Sequence, residues 1–76
     1  MTGMIPTESI ERAKAVLRRS NVVDLRRLVV ERERQVVVLR GSVSSFYHKQ
    51  LAQELVRNEL DDDVEVVNHA HVIDRA

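Results

Sequence analysis

Two histidines two residues apart, a run of three aspartates, and a serine-rich turn beside a third histidine are the groups in this chain best suited to chemistry. On an extended strand, positions i and i+2 point the same way, so His69 and His71 would present both imidazoles on one face. A metal needs a third and usually a fourth ligand. Glu65 shares that face but stands four residues from His69, too far along the strand to complete a site, and His48 lies elsewhere. The expectation is a pair of surface histidines. Asp61, Asp62 and Asp63 lack the alternate spacing, the glycine and the bidentate glutamate of a calcium loop, and read as a solvated turn. Ser42, Ser44 and Ser45 precede His48 closely, but Ser45 and His48 read as a helix cap and a first-turn residue, and no carboxylate is placed to orient the imidazole. Gly3 and Gly41 are the only glycines, too few for a phosphate-cradling loop. With no cysteine there is no disulfide and no thiolate site. These readings imply no enzyme, no metal and no cofactor, and point to a chain that works by binding.

Seventy-six residues bound the architecture to one small domain, expected over residues 7–76 with residues 1–6 as a flexible tail. Hydrophobic content is 43%, valine dominates it, and Phe46 and Tyr47 are the only aromatics. Such a composition suits sheet positions, where β-branched side chains pack well. No apolar stretch approaches the ~20 residues that span a bilayer, and the N-terminus shows no basic region followed by an apolar run. As the chain stands it is expected to be cytoplasmic; cut from a longer precursor, it would be envelope-associated. Net charge is zero, yet residues 1–40 carry nine Lys/Arg against five Asp/Glu, and residues 41–76 three against seven.

Elements follow from periodicity. Ile10, Ala13 and Leu17 recur with helical spacing, Thr7 is placed to cap, and Glu8 and Glu11 precede Arg18 and Arg19 as the helix dipole prefers, which predicts a helix over about 7–20. From Leu25 to Val43 the period changes to two, with a polar tip over 31–35, as in an antiparallel hairpin of unassigned turn type. Gly41 inside the second strand predicts a bulge or a close approach, expected from a helix. Ser44-Ser45 caps a second helix over 46–60, whose rows Tyr47-Leu51-Leu55 and Ala52-Val56-Leu60 form a broad apolar face. Residues 64–73 read as a third strand. Two helices on one face of a three-stranded mixed sheet, in the order α-β-β-α-β, make an α+β two-layer sandwich. The other sheet face is then left open, with Val29, Val36, Val38, Val67, His69, His71 and Ile73 on it. An open apolar face on a small domain often marks an interaction surface.

The pattern Val37-x-Leu39-x-Gly41-x-Val43-x-Ser45, a helix bearing Lys49, Ala52, Leu55 and Val56, then Val66-Val67-Asn68 before Ala70 and Val72, resembles the BON domain. The resemblance covers about residues 25–73; the first helix fits the αββαβ order by position. Asp63 stands where the family carries a glycine before its last strand. The resemblance implies a non-catalytic binding module that contacts phospholipid membranes or helps maintain an envelope.

The resulting expectation is a BON-like module that engages an anionic phospholipid surface or a protein partner. It would use the open sheet face and a basic hairpin edge of Arg26, Arg27, Arg32, Arg34 and Arg40. The alternatives are a homo-oligomerisation domain, whose valine face would make a homodimer, and a small nucleic-acid-binding protein. Nucleic acid is disfavoured, since no aromatics interleave with the arginines to stack bases.

Overall fold

A computed structural model describes residues 5–73. The elements are α1 (Thr7–Arg18), α2 (Val23–Arg26), β1 (Val29–Glu33), β2 (Val36–Arg40), β3 (Ser42–Val43), α3 (Phe46–Glu59), β4 (Glu65–Asn68) and β5 (His71–Val72). The three-stranded sheet runs β1-β2-β4, with β1 antiparallel and β4 parallel to β2, so it is mixed as expected. β3 and β5 pair in parallel beyond it.

These two sheets are one ladder. Leu39 pairs with Asn68 and Ser42 with His71, so the offset of 29 is unchanged across Gly41. The amides of His69, His71 and Ile73 donate in turn to the carbonyls of Leu39, Gly41 and Val43 at 2.8 Å each. Gly41 therefore makes no bulge, and the approach it admits does not come from a helix. Its φ is +131°, and a Cβ there would lie 2.9 Å from Leu28 Cδ2, on the segment that leads into β1. That conformation is open to glycine and strained for other residues.

α1 forms for the predicted reason: Ile10, Ala13 and Leu17 are buried in one stripe. Its start differs, because the N-cap is Pro6, whose carbonyl accepts from the amides of Ser9 and Ile10, and the Thr7 side chain caps nothing. It also ends at Arg18, earlier than expected. Residues 1–4 and 74–76 of the expected tail and domain lie outside the described residues. Ile5, assigned to the tail, is buried against the core, and its carbonyl accepts from Arg32 Nη1 at 2.8 Å.

The second difference is α2. The period of two predicts β structure from Leu25, whereas Val23–Arg26 is a single helical turn. Ser20 organises the bend before it: its Oγ accepts from the Val22 amide, and its carbonyl accepts from Arg26. Leu25 is fully buried and anchors the turn. Burial of a leucine side chain supplies about 1.5–3 kcal/mol, enough to hold one turn that would not persist alone.

The hairpin closes through Arg34 and Gln35, since Glu33 pairs with Val36. Arg34 takes a positive φ of 58°, the feature a primed two-residue turn demands at its first position and the reason such loops favour glycine there. α3 starts at the predicted cap, Ser45, whose Oγ accepts from the His48 amide at 3.1 Å. α1 packs on α3 and β1, and α3 also meets β3, β4 and β5. Leu17, Leu25, Val37, Leu39, Val43 and Val56 are fully buried between the layers. Asn68 ties the last strand to α3: its Nδ2 donates to the Lys49 carbonyl at 2.8 Å, and its Oδ1 accepts from the Ala70 amide.

Candidate functional site

The sheet register fixes what the open face carries. Cross-strand partners share a face, so Val29, Glu31 and Glu33 of β1 lie with Val36, Val38 and Arg40 of β2, and with Glu65 and Val67 of β4. His69, His71 and Ile73 continue that row and are exposed. Arg40 folds across β1, with its Nε 2.7 Å from Glu31 Oε1 and its Nη2 on Glu33. Glu33, then Glu31, hold its guanidinium still more firmly in the charged form. The expected apolar face is thus half charged. Val38, placed at its centre, is only 3% exposed, because it sits in the middle strand between Glu31 and Val67. Val36 and Val67 are half-buried. Only Val29 and Ile73 of the apolar set stand well out.

The five arginines of the expected basic edge are not brought together. Arg40 belongs to the open face, while Arg32 points to the helix side and holds the Ile5 carbonyl. Arg34 caps the hairpin tip. Arg26 and Arg27 lie on and just after α2, at the opposite end of the hairpin. Five residues of strand, about 16 Å, separate the two groups.

Chain direction shows what gathers at that opposite end. The Arg32–Ile5 contact puts the start of α1 at the hairpin tip, so α1 delivers Arg18 and Arg19 to the other end, beside α2. Arg18 and Arg26 line one groove together with Val29. β3 packs against α2, and α3 begins three residues after β3. α3 then returns to the tip end, where Asp61, Asp62 and Asp63 precede the Glu65 that pairs with Val36. The α2 end thus collects Arg18, Arg19, Arg26 and Arg27 with the exposed Val23, Phe46, Tyr47 and Ile73.

Phe46 is 75% and Tyr47 70% exposed, although periodicity assigned Tyr47 to the buried face of α3. That face begins one turn later, at Leu51 and Ala52, which pack on the core. The missed signal is that both aromatics directly follow the Ser45 cap, one turn before the residues that pack on the core.

The same end holds a polar knot. Asp24 Oδ2 accepts from the Ser44 amide at 2.8 Å and the Ser44 hydroxyl at 2.7 Å, and lies 3.2 Å from His48 Nδ1. A carboxylate does therefore reach His48, contrary to the sequence reading. It comes from α2, a segment whose period along the chain reads as strand. The Ser44 hydroxyl, then its amide, then His48 hold the Asp24 carboxyl below its usual range. The three groups do not form a catalytic triad. A triad sets nucleophile and carboxylate on opposite imidazole nitrogens, whereas Ser44 Oγ lies 3.3 Å from the same Nδ1 and gives its proton to Asp24. The knot instead docks α2 against β3 and the start of α3. Beside it runs an open groove of about 530 Å³, lined by Asp24, Arg27, Ser42, Val43, Ser44 and Ile73.

His69 and His71 are exposed, and no group of three or more metal-ligating side chains occurs among the described residues. No helix among those residues is long and apolar enough to cross a membrane.

Residues 8–74 match the family model of the BON domain. The match takes in α1, which the motif-based resemblance reached only by position. No curated protein and no solved structure gives a significant match.

Proposed function

Because the chain belongs to the BON domain family, a family of generally non-catalytic binding modules, we propose that it docks on an anionic phospholipid surface through its α2 end. One observation carries this reading: four arginines and both aromatic side chains gather at that end, and among the described residues the carboxylate beside them, Asp24, is already held by Ser44 and His48. Aromatic rings settle at the level of lipid headgroups. Each arginine near an anionic leaflet contributes about 1 kcal/mol, and that attraction fades within a Debye length, about 8–10 Å. Arginines and rings must therefore stand on one surface to act together, which the α2 end supplies and the dispersed hairpin arginines do not.

A second reading, a protein partner on the open sheet face, draws on the half-buried Val36 and Val67 beside exposed Ile73.

Co-sedimentation with vesicles decides between them. The protein is expected to pellet with vesicles containing anionic lipid and to stay in solution with purely zwitterionic ones. A Phe46→Ser/Tyr47→Ser variant, with no loss of folding expected at two exposed positions, should lose most of the binding. No pelleting at low salt, or pelleting unchanged in that variant, would overturn the membrane reading and favour the sheet face.

A further inference from the structure

Among the described residues the sheet has two free edges, and they are built differently. On β1 the edge carries Glu31, Arg32 and Glu33 and ends in the turn at Arg34, the charged blunting that keeps edge strands from pairing. The other edge, from Glu65 through Ile73, has no lysine, arginine or proline. Along it the odd-numbered amides of His69, His71 and Ile73 point inward to the neighbouring run. The even-numbered residues Val66, Asn68, Ala70 and Val72 consequently turn their backbone groups outward. Of these outward amides, that of Ala70 is held by the Asn68 side chain.

We infer that this edge pairs with the same edge of a second copy of the chain, antiparallel, about a two-fold axis at Asn68. Matching on both faces together selects that register. With Asn68 opposite itself, Glu65 of each copy faces His71 of the other, so a carboxylate meets an imidazole twice by symmetry. On the same face Val67 meets His69. On the helix side Val66 meets Ala70 and Val64 meets Val72, so apolar groups face apolar groups. Moving the axis to His69 would set Glu65 against Ile73 and His69 against itself, losing both polar pairs; moving it to Val67 would keep Glu65 opposite a histidine, His69, but would set Asn68 against Val66 on the helix side. Outward-facing even residues fall opposite one another, as the hydrogen-bonded pairs of an antiparallel ladder require. Ala70 must exchange its Asn68 partner for the Val66 carbonyl of the other copy. The product is one continuous sheet, with all helices on one side and the two open faces on the other.

Sedimentation equilibrium on the full chain, from micromolar to millimolar concentration, tests the pairing. A concentration-dependent dimer is expected. His71→Glu places two carboxylates opposite each other at both symmetric positions and should weaken the dimer about tenfold. Adding Glu65→Lys to that variant should restore most of the loss. Both positions are exposed, so circular dichroism should show an unchanged fold. A monomer throughout the range overturns the inference. So does a dimer that ignores His71→Glu, or a loss that Glu65→Lys does not repair.

Discussion

At the scale of single residues, Gly41 is the position with the least freedom. Its positive φ disfavours any side chain, and a Cβ would in addition have to push aside the terminal Cδ2 of Leu28, 2.9 Å away. Backbone strain of this kind costs about 1–3 kcal/mol, and displacing a buried leucine adds to it. Gly41→Ala is therefore expected to lower stability by about 2 kcal/mol or more in urea unfolding. A change within about 0.5 kcal/mol, the range of an ordinary surface substitution, would mean that Leu28 yields freely. Arg34 also has a positive φ, but it points into solvent at a hairpin tip and touches no core residue, so little depends on it.

At the scale of elements, α2 is the piece that makes the site. One helical turn has almost no stability of its own, and it is kept by Leu25 in the core and Asp24 in the polar knot. The knot also makes α2 sensitive to acid. Asp24 has a folded pKa below its ordinary value of 3.8. Its contribution is thus fully present above that ordinary value, declines as pH falls below it, and is gone beneath the lowered folded value. Asp24→Asn should remove this part of the acid dependence: the wild type should lose stability faster than the variant as pH drops below about 4. Parallel pH–stability curves for the two proteins would show that the carboxylate charge does not hold α2. By contrast, α3 is secured independently by its Ser45 cap and by the Asn68 bond to the Lys49 carbonyl.

At the scale of the molecule, charge is arranged along the long direction of the hairpin and not between its faces. The four arginines near α2 lie opposite the tip, where Asp61, Asp62, Asp63, Glu33 and Glu65 outnumber Arg34 and Arg57. Surface attraction to an anionic leaflet is worth about 1 kcal/mol per arginine, so neutralising two should cost about tenfold or more in vesicle partitioning. Arg18→Gln/Arg19→Gln is expected to show that loss, and raised salt should mimic it in the wild type. Arg34→Gln, at the tip, should change nothing. Equal losses from the two variants would restore the hairpin edge as the contact.

Much of this was legible along the chain. Alternation from Val36 to Val43 and the helical rows of Ile10-Ala13-Leu17 and Ala52-Val56 fixed the α+β class, the mixed sheet and the family, because burial on one face imposes a period that any reader of the sequence can recover. Ser45 as a cap was equally local. What the sequence could not reveal depended on distances between segments. Asp24 reaches Ser44 and His48 across twenty and more residues, through a turn too short to show a period. Tyr47 obeys the helical spacing of a buried row, yet is exposed because no element among the described residues covers its ring. Val38 obeys the spacing of an open face, yet is covered because its neighbours on both sides close over it. Periodicity tells which way a side chain points; only the tertiary structure decides whether anything is there to meet it.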